Sequence, residues 1–298
     1  IVGQESPTQK SLIELSKQDT SVLIKITNYF NPVIRCFAFR SLIEKGYKNF
    51  FPIIINHLQD TANVRLHYAD VVMYQKAGDF FIDNAIVNYT NAVDYAMKNK
   101  VYMDSLQKCI LDSIVIFTDN ELEYLDQILY HNSFNENYYE RINKLAVNNS
   151  YANVALAKYK REGDAKIIYD NFENIVIYNI NNFSKSCLFE AISIFPDEIF
   201  WHKVKGYLLS SKKLDRSDKN FCKALFKYQN EEALQLIDSL VKVNEKEDYI
   251  LHTFLAVLLY GLENSHDENL LQYKFYVAEN YNVTTPEIFS EMTKLDSI

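Results

Sequence analysis

Glycine and proline are almost missing from this chain, with 6 and 5 among 298 residues, about 4% together where average proteins carry roughly 12%. Phosphate loops, tight hairpins and strand crossovers need residues that tolerate positive φ, so so few glycines argue against a Rossmann sheet, a TIM barrel or a β-sandwich. Basic runs are missing as well. With 31 Lys plus Arg against 39 Asp plus Glu, the net charge is −8, and no stretch has the character that tracks a phosphate backbone, which disfavours nucleic acid as a partner. Long apolar runs are absent too: Phe50 to Ile55 and Phe254 to Tyr260 fall far short of the roughly 20 residues that span a bilayer, so no membrane insertion is expected.

Paired metal-binding spacings are also lacking. Cys36, Cys109, Cys187 and Cys222 stand alone inside apolar periodic segments, which reads as four small buried hydrophobes with no disulfide, metal or cofactor. No HExxH, GxSxG or DDxxD occurs among the histidines, serines and aspartates. His266 and Asp267 read as a turn with Asp267 capping the next helix, and Trp201 as a core residue. The opening residues Ile1, Val2 and Gly3 fit the tail of a secretory signal cleaved near Gly3 as well as an arbitrary boundary, so export and a cytoplasmic location stay equally open.

What is present is helical periodicity. Asn31 to Gly46 carries Pro32 at a first helical position, Ile34, Ala38 and Leu42 at four-residue spacing, and Gly46 as a left-handed stop. A second helix with Phe50, Phe51, Ile54 and Leu58 inward is expected next, then Asp60 as a cap, then a third helix carrying Val64, Arg65, Tyr68, Ala69 and Val72. Ala38, Ala155, Ala191 and Ala224 each have an apolar or aromatic residue 4, 13 and 17 positions later. Ala69, Ser113 and Ala256 follow the template more loosely. The anchors fall 31 to 44 residues apart, and steps of this size are those of stacked helix pairs, in which a small residue lets two helices approach closely. The residues four after each anchor, Leu42, Met73, Phe117, Tyr159, Phe195, Tyr228 and Tyr260, are then core between stacked helices.

The run Phe51-Pro52 to Leu58, then Asp60, Val64, Arg65 and Ala69, resembles a HEAT repeat. That family places a proline in the first helix, an aspartate in the turn and a Val-Arg pair at the start of the second. Asn31, Pro32, Ile34, Arg35, Ala38, Leu42 and Gly46 resemble the second half of the preceding unit. The resemblance is sharp over about residues 31 to 78. It implies an all-α fold, an alpha-alpha superhelix or HEAT/ARM-like solenoid of antiparallel helix pairs, as a single domain over 1–298 with 14 to 18 helices and no sheet. It also implies a ladder in which Arg35 and Arg65 pair with the turn residue Asp60, although guanidinium forks could instead clamp a carboxylate ligand.

Such a fold suits a non-catalytic scaffold or adaptor that binds a protein or peptide on its concave face. In the third helix His67, Asp70 and Tyr74, three and four residues apart, would share the free side and form the partner-binding patch. The alternative is a HEAT-like enzyme, of lyase or other small-molecule type, which requires a buried carboxylate in a concave pocket.

Overall fold

The computed structural model describes residues 7–68, 71–86, 101–177, 182–210 and 219–225, with scattered positions between 227 and 239. Its described residues are mostly helical, and the chain divides into two compact units, Ile1–Ile128 and Leu129–Ile298.

The first unit begins with α1 (Pro7–Ser16), α2 (Thr20–Ile26) and α3 (Pro32–Glu44). α3 starts where the sequence says it should. Asn31 caps it, its Oδ1 accepting from the N–H groups of Val33 at 3.0 Å and Ile34 at 3.3 Å, with Pro32 in the first turn. It stops at Gly46, whose φ is 77°. There the Tyr47 N–H reaches back to Leu42 O and the Gly46 N–H to Ile43 O, both at 3.0 Å, the paired bonds of a Schellman stop. Ala38 and Leu42 are buried with Leu23, and Leu15, Ile24, Ile26, Tyr47 and Ile53 pack around them.

α4 (Phe51–Asn56) follows, with Phe50, Ile54 and Leu58 buried as expected. The next segment departs from the expectation. In place of a third helix, Asn63–Tyr68 is strand β1 and Val71–Lys76 is strand β2, an antiparallel pair in the register Val64↔Gln75, Leu66↔Met73 and Tyr68↔Val71. The expectation of no sheet is therefore corrected. The physical reason lies in the residues: Val64, Leu66 and Tyr68 alternate with Asn63, Arg65 and His67, a period of two, and the β-branched pair Val71-Val72 suits a pleated strand better than a helix. Val64 and Leu66 are buried, and β1 lies against α3.

α5 (Ala77–Ala85) buries nearly all its residues. Its Gly78 comes so close to neighbouring backbone that an added Cβ would sit 2.9 Å from His57 O and 2.7 Å from Leu122 Cδ2. α6 (Ser105–Phe117) carries a reciprocal capping box between Asp104 and Gln107 and buries Leu111, Val115 and Ile116. α7 (Glu123–His131) receives its start from α5: Asp79 Oδ2 accepts from Glu123 N at 3.1 Å and Oδ1 from Tyr124 N at 2.9 Å.

In the second unit come α8 (Tyr139–Ala146), α9 (Ser150–Ala157), α10 (Asp164–Ile177), α11 (Asn182–Ile194), α12 (Trp201–Ser210) and α13 (Lys219–Leu225). α9 packs on α8 and α11, and α11 in turn on α13. The anchor residues Ala155, Ala191 and Ala224 of α9, α11 and α13 are all buried. Polar bridges tie the helices: Asn153 Nδ2 donates to Ala146 O at 3.0 Å, and Asn171 Nδ2 to Asn153 Oδ1 at 3.2 Å. Buried Asp164 accepts from Tyr139 Oη at 2.7 Å and Arg161 N at 2.9 Å, while the Arg161 guanidinium lies 3.6 Å from the centre of the Tyr139 ring. Trp201 is half-buried, donating from Nε1 to Glu232 Oε2 at 2.8 Å and packing on Tyr228.

Three further expectations are corrected. Cys36 and Cys187 are buried but Cys109 is exposed, since it lies near the start of α6, ahead of Leu111, Val115 and Ile116, the residues that helix buries; the Cys222 side chain lies outside the described residues. Of the residues four after an anchor, Leu42 and Tyr228 are buried, but Met73 and Phe117 are exposed. Met73 is exposed because it belongs to a strand, where the helical spacing has no meaning. Ala69, Ala256, Tyr260, His266 and Asp267 lie outside the described residues.

Candidate interaction surface

A well-connected polar group of the first unit is Arg35, on the second turn of α3. Its Nε donates to Asp60 Oδ2 at 2.6 Å and its Nη2 to Asp60 Oδ1 at 2.5 Å, a two-pronged pair whose side chains are only 11% and 14% exposed. Nη1 donates to Phe30 O at 2.9 Å and Tyr29 O at 3.3 Å. Asp60 accepts further from Ala62 N and from His57 Nδ1, each at 3.3 Å. The guanidinium thus fixes the loop before α3, and the carboxylate fixes the entry to β1.

Burial raises the Asp60 carboxyl, but the bonds and charge of Arg35, helped by Ala62 N and His57, outweigh it and hold the group below its usual value. It is ionised and can only accept, so the proton of His57 belongs on Nδ1. Nε2 is then a bare lone pair, buried with no hydrogen-bond partner among the described residues. Burial lowers His57 more than Asp60 raises it, so the ring is held below its ordinary pKa and stays neutral. It stacks on Phe81 at 4.2 Å between centroids, and Phe81 stacks on Phe39 at 4.5 Å.

Cys36, His57 and Asp60 together have the residue types of a thiol catalyst. Their environment works against it. Cys36 is fully buried, and desolvation pushes its thiol up to about 12 despite the charge of Arg35. A thiol activated for attack is partly exposed and shifted the other way. The cluster therefore acts as a fastener.

The loop it fastens before α3 is exposed and apolar, as are parts of β2 and α6. Tyr29 and Phe30 project with their rings 4.4 Å apart, Phe30 being 81% exposed. On β2, Val72, Met73 and Tyr74 are 43%, 50% and 65% exposed, so this strand is uncovered on both faces. Leu106 and Ile110, one turn apart on α6, are exposed as well.

Of the residues that the sequence singled out, Arg35 and Asp60 are brought together and Arg65 is not: it lies exposed on β1, directly across from Tyr74. Tyr74 is exposed as expected, though on a strand and not on a helix. His67 is paired with Val72 in the register, its side chain lying outside the described residues, as does Asp70. Sequence reasoning missed His57, Phe30 and Asp79. His57 carried the only local signal, a polar residue three before Asp60.

Among the described residues, no group of three or more His, Cys, Asp or Glu is placed to hold a metal ion, and no helix is long and apolar enough to cross a membrane. Compared with known proteins, the chain matches no family model, no curated protein and no solved structure.

Proposed function

We propose that this chain is a non-catalytic scaffold or adaptor that binds a protein or peptide. The observation that carries the reading is the exposed apolar set of Tyr29 and Phe30, on the loop held by Arg35, and of Val72, Met73 and Tyr74, on β2, which pairs with β1. Large exposed aromatics on a rigid support are what partner surfaces use, because they offer contact area at small entropic cost. The buried carboxylates support the same reading: Asp79 and Asp164 have both oxygens engaged in hydrogen bonds to the fold.

The HEAT-like solenoid belongs to this proposal. It is supported by the succession of α9, α11 and α13, each packed on the next with a buried alanine at the expected anchor. Small-angle X-ray scattering tests it, an elongated particle being the expected outcome and a globule of ordinary radius for 298 residues the adverse one.

For binding, Phe30→Ser combined with Tyr74→Ser should leave the melting temperature nearly unchanged. Captured partners, quantified by mass spectrometry against the unchanged chain, should fall away. Equal capture by both chains would sink the proposal, and a large drop in melting temperature would show that these residues are core.

A further inference from the structure

The outer edge of β2 carries a more specific message than its exposed side chains. Ala77 N donates to Ala62 O at 2.9 Å at the base of the hairpin. With the observed register, this makes 64/75 and 66/73 the hydrogen-bonded pairs. The N–H and C=O groups of Val72 and Tyr74 therefore point away from β1, and they meet no other backbone among the described residues. Edge strands are ordinarily blunted by proline, inward charge, a bulge or a cover. The sequence Val71-Val72-Met73-Tyr74 has none of these, and the first lysine is Lys76, whose Nζ is bonded to Glu121.

We propose that this edge takes an extended peptide of another protein as a third antiparallel strand, with apolar residues at alternate positions and a carboxylate facing Arg65. Val72 and Tyr74 offer donors and acceptors about 6.8 Å apart, the two-residue repeat of a strand, and only an extended backbone matches that spacing. An incoming strand would lie about 4.8 Å further out. Its side chains would meet Val72 and Tyr74 on one face and Met73 on the other, and a long acidic side chain beside Tyr74 would reach across it to Arg65, which lies one strand further in, about 9.6 Å away. Charge decides the occupant. The chain carries −8 overall, yet this face presents Arg65 with no acidic partner among the described residues, while Lys76 is already paired with Glu121. A second copy of β2 has no acidic residue between Val71 and Lys76 to answer Arg65, whereas an acidic peptide has. The inference rests on the protein-binding reading and narrows it to one edge and one kind of partner.

The test selects 12-residue linear peptides from a displayed random library against the full chain and measures the winners by fluorescence polarisation. Winners are expected to alternate apolar residues and to carry Asp or Glu. Val72→Pro and Tyr74→Pro each remove an outward N–H while leaving the β1–β2 ladder intact, and should weaken binding by at least about tenfold with an unchanged melt. Arg65→Glu should reverse the preference for acidic peptides. Because proline can also disturb a strand, hydrogen exchange by NMR gives an independent readout: bound peptide should protect the Val72 and Tyr74 amides, which exchange freely without it. Peptides that bind without protecting these amides would overturn strand addition and leave the protein-binding reading standing. Protection without peptide, together with dimers in sedimentation, would make a second copy the occupant and overturn the acidic peptide. If no linear peptide binds, this inference fails, and the separate capture experiment decides the broader reading.

Discussion

Removing the Asp60 carboxylate by Asp60→Ala strands a guanidinium that is 11% exposed and loses both prongs of its pair. Breaking a buried pair from one side costs about 3–5 kcal/mol, because the remaining charge stays desolvated without its partner. Arg35 keeps its bonds to Phe30 O and Tyr29 O, which places the expected loss near the lower end, about 3 kcal/mol. Ala62 N loses its acceptor in the same variant. A loss of that size is a large part of the roughly 5–15 kcal/mol that holds a domain, and corresponds to a fall of about 6–12 °C in the melting temperature. Urea unfolding followed by tryptophan-independent circular dichroism gives the midpoint and slope. The companion variant Arg35→Met with Asp60→Leu removes both charges, keeps the volume apolar, and should recover to within about 1 kcal/mol of the original chain. A cost below about 1 kcal/mol for Asp60→Ala, the value of a solvent-exposed pair, or a double variant that loses as much as the two single changes added, would refute a buried pair of this strength.

The neutral, buried His57 makes stability depend on acidity. Its folded pKa lies below 6.5, so between 6.5 and that lower value the unfolded chain binds the extra proton. Stability is therefore full above about pH 6.5 and falls as pH drops toward the folded value, by at most about 1.4 kcal/mol per pH unit. Melts from pH 7.5 to 5 should show this slope reduced in His57→Phe, and parallel curves for the two chains would dismiss it. Gly78→Ala, a change that ordinarily favours a helix, should instead destabilise by about 1–3 kcal/mol, because the new methyl meets His57 O and Leu122; a raised urea midpoint would show that the neighbours give way. Alkylation with iodoacetamide, read by peptide mass spectrometry, should label the exposed Cys109 in the folded chain and spare Cys36 and Cys187 until denaturant is added.

α3 was legible because each of its boundaries is a local chemical event, the Asn31 cap and the left-handed Gly46, and local events are written in adjacent residues. Arg35 and Asp60 could be paired in advance only through the family resemblance, since nothing within 25 residues of sequence announces the contact. The hairpin shows how a true pattern misleads. Val64 and Tyr68 are spaced by four, which fits one helical face with Val72 to follow, but four is also twice two, and Val72 belongs to the next strand. Leu66 was the residue that distinguished the periods: a helix would place it opposite Val64, while a strand buries it on the same side, as observed. Scarce glycine could not forbid the two-stranded hairpin found among the described residues. The Asp79 bonds and the orphaned Nε2 of His57 depend on tertiary approach and left no trace in local pattern.

The carboxylate that completes the first turn of α7 comes from 44 and 45 residues earlier in the chain, and this sets an order of events in time. α7 cannot finish its own start by local means, so that start is sealed only after the chain has closed on itself and α5 is in place. Closure entropy is spent before such a contact returns anything, which puts the cap on the native side of the folding barrier. Losing the cap, at about 1 kcal/mol, is then expected to leave the folding rate nearly unchanged and to speed unfolding about fivefold, which stopped-flow kinetics of Asp79→Ala would check. Asp79 thus governs how long the first unit stays folded, and has little to do with how fast it gets there.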